Sequence, residues 1–168
     1  ILVYLARTYP ALSIVSCDIV DRYVEMAKRR VGFMPHTHVE KADSRDIVAR
    51  YRNEFRCPLY YLDAHWYDDW PLERELELIE YGIVCVDDFN IGHPDFGFDS
   101  YNGKECGPEF LKKFADKVPY YYTNNPEVLH ELPCLQQGRR GGKAYFPVGM
   151  AHDHMRHHRY FKRYQTPR

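Results

Sequence analysis

Apolar positions along this chain fall into short runs, separated by stretches in which they recur every three or four residues, so strands alternate with helices. "LVYLARTYP" fits the end of a helix stopped by Pro10. "LSIVSCDI" reads as a buried strand closing at Asp18. Val20, Val24, Ala27 and Val31 then predict an amphipathic helix that ends near Gly32. "THVEKADS" is a short strand closing at Asp43 and Ser44, and Ile47, Val48, Tyr51 and Phe55 give the next helix its apolar face. "PLYYLDAH" is a strand. Pro71 opens a helix with Leu72, Leu76 and Ile79 inward, and Gly82 precedes the strand "IVCVDDF". A loop rich in Gly, Pro, Asp and aromatics covers 92–107, "PEFLKKFADKV" is a helix, and "YYYT" and "KAYFPV" are late strands.

Strands without polar alternation, interleaved with helices, call for a doubly wound, mostly parallel α/β sheet covered on both faces. Ligands of such sheets bind outside the carboxyl ends of the strands. Asp18, Asp43, Asp63 and the pair Asp87-Asp88 all fall there, so they are expected along one rim. One such acid is explained by capping a helix or turning a loop. Four strands ending this way are harder to assign to packing, because an unpaired buried carboxylate is costly.

Composition narrows the picture only modestly. The 168 residues suit one domain, expected over 1–150, and a net charge of −1 gives no general attraction to nucleic acid or membrane. The segment 151–168 reads as a basic, His-rich, solvated tail. The five cysteines form no CxxC pair, which fits reduced thiols and a cytoplasmic protein. No run reaches transmembrane length, and neither nucleic acid nor membrane is an expected partner.

Candidate chemistry gathers in two groups. Asp18, between a strand and a helix, is placed to accept hydrogen bonds from a ribose, with Asp43 and Ser44 beside a base. Asp63, Asp87 and Asp88 offer three hard oxygen donors on neighbouring strand ends, as Mg²⁺ or another divalent cation requires. Such a cation can polarise a substrate hydroxyl. His65, two residues past Asp63, is a candidate proton acceptor or further ligand, and Trp66, Tyr67 and Trp70 are candidate pocket walls. Phe96, Phe98 and Tyr101, in the glycine-containing loop "GHPDFGFDSYNG", are expected to cover the acceptor.

"YYLDAHWYDDWPLERELELIEYGIVCVDDFNIGHPDF" resembles the second half of class I S-adenosylmethionine-dependent methyltransferases, closest to the metal-dependent O-methyltransferases of the catechol and macrocin types. "SIVSCDIVDRYVEMAKRR" is similar to that family's second strand and helix, "VEKADSRDI" to its third strand, and "GRRGGKAYF" to its terminal hairpin. The resemblance implies a Rossmann-like sheet with a C-terminal antiparallel hairpin. It also implies S-adenosylmethionine on Asp18, Asp43, Ser44 and Asp63, and Mg²⁺ on Asp63 and Asp87, with Asp88 beside them. The implied partner is a small-molecule or sugar hydroxyl, with a homo-oligomer left open. Two departures stand out. No lysine follows "LDAHW", which leaves His65 as a stand-in base, and no acid-Gly-x-Gly-x-Gly motif is present. The family's first strand, which carries that motif, belongs between the strands ending at Asp18 and Asp63, so a truncated sequence is expected. A non-catalytic interaction or cofactor-sensing domain and a metal-dependent nucleotide-sugar transferase are the rival readings.

Overall fold

The computed structural model describes residues 1–64, 69–128, 140–150 and 155–168. They form two compact units, Ile1–Tyr51 and Arg52–Arg168.

The first unit runs α1 (Leu2–Thr8), β1 (Ile14–Asp18), α2 (Asp21–Val31), β2 (Thr37–Lys41) and α3 (Ser44–Tyr51). Its two strands pair in parallel, from Ile14 opposite Thr37 to Asp18 opposite Lys41. Helix α2 starts with Asp21 in its first turn and closes with Lys28, Arg29 and Arg30 in its last, both favourable to the helix dipole. It turns Val24 and Val31 inward to meet Ala6 and Val39, with Ile14 and Ala27 at the margin. Each large aliphatic buried in this way contributes roughly 1.5–3 kcal/mol. Phe55, expected on the third helix, lies beyond its end at Tyr51.

The second unit contains β3 (Leu59–Leu62), α4 (Leu72–Leu78), β4 (Gly82–Val86), β5 (Phe96–Gly97), β6 (Ser100–Tyr101), β7 (Lys104–Glu105), α5 (Pro108–Leu111), a 3-10 turn (Lys112–Phe114), β8 (Tyr120–Asn124), β9 (Arg140–Gly141), β10 (Ala144–Val148) and β11 (Phe161–Gln165). Its main sheet has the order β11-β8-β10-β4-β3. Only β3 and β4 pair in parallel there; β4 with β10, β10 with β8 and β8 with β11 are antiparallel. The sheet is therefore mixed rather than mostly parallel. The late strands are the reason, because β10 inserts between β4 and β8 and reverses direction. Strand β4, flanked by β10 and β3, is deeply covered, with Val84, Cys85 and Val86 each at most 4% exposed. Leu72, Leu76 and Ile79 are buried as the helical spacing predicts. Gly82 enters β4 at φ 128°, where a side chain would also meet the Pro58 carbonyl, so glycine is required on both counts.

The segment 161–165, expected in a solvated tail, instead forms β11 along the whole of β8. Tyr164 stacks on Tyr121 at 5.6 Å, and Arg163 lies 4.2 Å above the Tyr120 ring. Charged residues on an edge strand guard it against further pairing, so a basic segment and a strand are compatible. The loop 92–107 holds three two-residue strands, and β5 pairs with β9. No described helix is long and apolar enough to cross a membrane, and no disulfide joins the described cysteines.

Candidate functional site

Parallel pairing sets Leu62 opposite Val86, so Asp63 and Asp87 follow at neighbouring strand ends. The Asp87 amide donates to the Leu62 carbonyl at 3.0 Å, carrying the ladder one residue further. Asp88 then adopts a left-handed conformation, φ 47°, which Asp tolerates better than most residues, and the chain turns sharply away. Phe89 drops into the core, fully buried, and packs against Tyr121 at 5.6 Å. The turn is held by amide donation from Phe89 to the Gly142 carbonyl at 2.8 Å and from Asn90 to the Cys106 carbonyl at 2.6 Å.

Across this turn runs Arg140–Gly141–Gly142–Lys143. A Cβ on Gly141 would collide with Asp88 Oδ1, and one on Gly142 with the Phe89 carbonyl oxygen. At Gly142 only glycine lets the backbone approach Phe89 so closely, whereas at Gly141 the Asp88 carboxylate would have to turn aside. The Lys143 amide donates to Asn124 Oδ1 at 2.7 Å, and its ammonium reaches the Asp87 carboxylate. The register explains the meeting. Ala144 lies opposite Val86, so one step outward brings Lys143 opposite Asp87 as a cross-strand charge pair.

Asp87 is thus engaged at both oxygens. Oδ1 accepts from Lys143 Nζ and, at 2.9 Å, from the Asp88 amide, while Oδ2 accepts from the Tyr61 hydroxyl. Burial by itself raises the carboxyl pKa, but Lys143, Tyr61 and the Asp88 amide together outweigh it and hold Asp87 below the usual aspartate value. The same surroundings, burial first and then the hydrogen bond to Asp87 and its charge, push the Tyr61 hydroxyl strongly upward, so it stays protonated and donates. Lys143 Nζ also lies 3.4 Å from the Tyr61 oxygen.

A pocket opens beside this pair. Asp63, Asp87, Asp88 and Asp99 supply carboxylates, with Leu62, Trp70 and Cys106 among its walls. Trp70 packs on Phe110 at 4.6 Å. Burial, then the charges of Asp88, Asp99 and Asp87, raises the Cys106 thiol to about 12, which keeps it from acting as a thiolate nucleophile near neutral pH.

The structure therefore brings together Asp63, Asp87, Asp88 and Trp70. His65 and Trp66 lie outside the described residues. Phe96 and Tyr101 sit in β5 and β6, and neither they nor Phe98 line this pocket, whereas Asp99 from the same loop does. Lys143, Tyr61, Asp99 and Cys106 are site residues that the sequence reading missed.

In the first unit, Asp18 closes β1 and accepts from the Val20 amide at 2.8 Å through Oδ1. Among the described residues its Oδ2 has no hydrogen-bond donor. Asp43 is more fully employed. Arg45 holds it in a fork, Nε to Oδ1 at 2.9 Å and Nη2 to Oδ2 at 2.6 Å, and the Arg45 amide adds a third bond. The neighbouring Ser44 Oγ is buried with no partner among the described residues.

These donors do not suit a divalent cation at Asp87, whose oxygens face an ammonium and a phenol. Among the described residues no three His, Cys, Asp or Glu side chains are grouped to hold one. In the first unit, by contrast, Asp18 Oδ2 and Ser44 Oγ are left to bond a polar group such as a ribose hydroxyl. No family model matches this sequence, and no curated protein matches it significantly.

Proposed function

We propose that this chain is an S-adenosylmethionine-dependent methyltransferase acting on a hydroxyl of a small molecule or sugar. The observation that carries the reading is the presence of acids at the ends of parallel strands, Asp18 closing β1 and Asp63 and Asp87 following β3 and β4. The antiparallel β8 and β10 agree with the terminal hairpin of the resemblance.

In this reading Asp18 and Ser44 hold the nucleoside. When bound, the sulfonium supplies an electrophilic methyl group. The chain contributes alignment, and the pocket carboxylates Asp63, Asp88 and Asp99 accept the hydrogen bond of the acceptor hydroxyl and take its proton. Trp70 provides an apolar wall. The rival reading, a non-catalytic domain, is favoured by one feature, the saturation of Asp87 by Lys143 and Tyr61.

Calorimetric titration of S-adenosylhomocysteine tests the proposal. Asp18→Ala should weaken binding about 10- to 100-fold, the worth of hydrogen bonds to a charged acceptor, while Asp63→Ala changes it less. Binding that is indifferent to Asp18 would remove this reading.

A further inference from the structure

We propose that Lys143 is the resident cation of the carboxylate rim, occupying at Asp87 the place where the resemblance sets a divalent metal, so that the rim is organised without a metal at that residue. The inference goes beyond methyl transfer and holds whichever group the pocket accepts.

Three features carry it. The first is coordination: an ammonium, a phenol and a backbone amide already donate to the two oxygens of Asp87. A cation arriving there meets the Lys143 ammonium and competes with the bond from Tyr61. The second is construction, because the ammonium is delivered rather than adventitious. Gly141 and Gly142 admit the backbone against Asp88 and Phe89, Asn124 anchors the Lys143 amide, and the register aligns Lys143 with Asp87. The third is burial. The Asp87 side chain is 13% exposed and that of Lys143 26%, so solvent screens the pair far less than a surface one. Among the described residues no Lys or Arg lines the pocket itself. Lys143 therefore acts on the pocket through Asp87, as a positioning residue. It fixes the carboxylate's orientation and removes one negative charge from a rim that also holds Asp63, Asp88 and Asp99.

Reciprocity supplies the test. If Lys143 holds a cation's place, removing its charge should vacate that place. Mn²⁺ is the probe, followed by electron paramagnetic resonance and calorimetry on the full chain. The unaltered protein should show no Mn²⁺ uptake that Asp87→Asn abolishes. Lys143→Met should bind Mn²⁺ at least about tenfold more tightly than the unaltered protein. The double variant Lys143→Met/Asp87→Asn should lose that gain, and Lys143→Arg should behave like the unaltered chain. Stoichiometric Mn²⁺ binding to the unaltered protein that Asp87→Asn destroys would overturn the proposal, as would a folded Lys143→Met with unchanged affinity. Should Lys143→Met fail to fold, the comparison of the unaltered chain with Asp87→Asn decides by itself.

Discussion

Asp43 and Asp87 occupy equivalent stations, each just past the end of a strand that pairs in parallel, and each is held by a basic side chain. Their partners come from very different distances along the chain. Asp43 takes Arg45, two residues on, together with the same residue's amide. Asp87 takes Lys143, fifty-six residues on, delivered by a separate strand. The carboxyl of Asp43 is lowered chiefly by the Arg45 hydrogen bond, which outweighs burial. At Asp87 burial is the largest single influence, and it takes three donors to overcome it. The first arrangement is a local turn that would satisfy itself in almost any fold. The second exists only when β4 and β10 are in register, so it reports on tertiary structure and is the stronger candidate for a functional device.

The largest effect should follow from breaking the distant pair. Lys143→Met leaves a mostly buried carboxylate without its cation, which costs about 3–5 kcal/mol. Lys143→Met/Asp87→Asn should recover much of this, as read from chemical denaturation. Acid sharpens the comparison. Asp87 has a depressed folded-state pKa, so its contribution is fully present above the unfolded value near 3.8 and is lost as pH falls below it through the folded value. The unaltered protein should lose stability over that range, and the double variant, having no carboxylate there, should lose less. Equal acid sensitivity would mean that Asp87 is not held as described. Next in size is the backbone that delivers the lysine. Gly142→Ala forces a methyl group against the Phe89 carbonyl and should cost about 1–3 kcal/mol. If Lys143 is held through that approach, the variant should also acquire Mn²⁺ affinity, in the direction of Lys143→Met.

Local chemistry was legible in the sequence and long-range pairing was not. The period of Val24 and Val31, the Leu72, Leu76, Ile79 stripe and the acids at strand ends all follow from spacing within a few residues and are observed, whereas Val20, expected on the same helical face, precedes the helix and is exposed. The positions of β8, β10 and β11 depend on which edge a strand chooses, and an isolated "FKRYQ" carries little of that choice. Its basic residues favoured a solvated tail because the aromatic partners Tyr120, Tyr121 and Tyr122 lie some forty residues upstream. At the site, the acids were visible and their counter-charge was not. No lysine stands close to "LDAHW" in sequence; the sheet brings Lys143 to Asp87 by register. One signal was available: two glycines directly before a lysine at the start of an apolar strand mark a close backbone approach.

The smallest predicted effect belongs to the local pair. Asp43 and Arg45 are 26% and 33% exposed, so screening limits their ion pair to about 0.2–1 kcal/mol. Arg45→Ala leaves the backbone part of the turn intact, because the residue-45 amide still donates to Asp43 Oδ1 and the Ile47 amide to the Asp43 carbonyl, as at present. Hydrogen exchange should therefore rise only slightly in the first turn of α3 and stay unchanged along β4 and β10. The outcome that would break the comparison is a loss on the scale of Lys143→Met. It would mean that Asp43 is a constrained charge too, and that the rim acids of both units are built to carry load rather than to close turns.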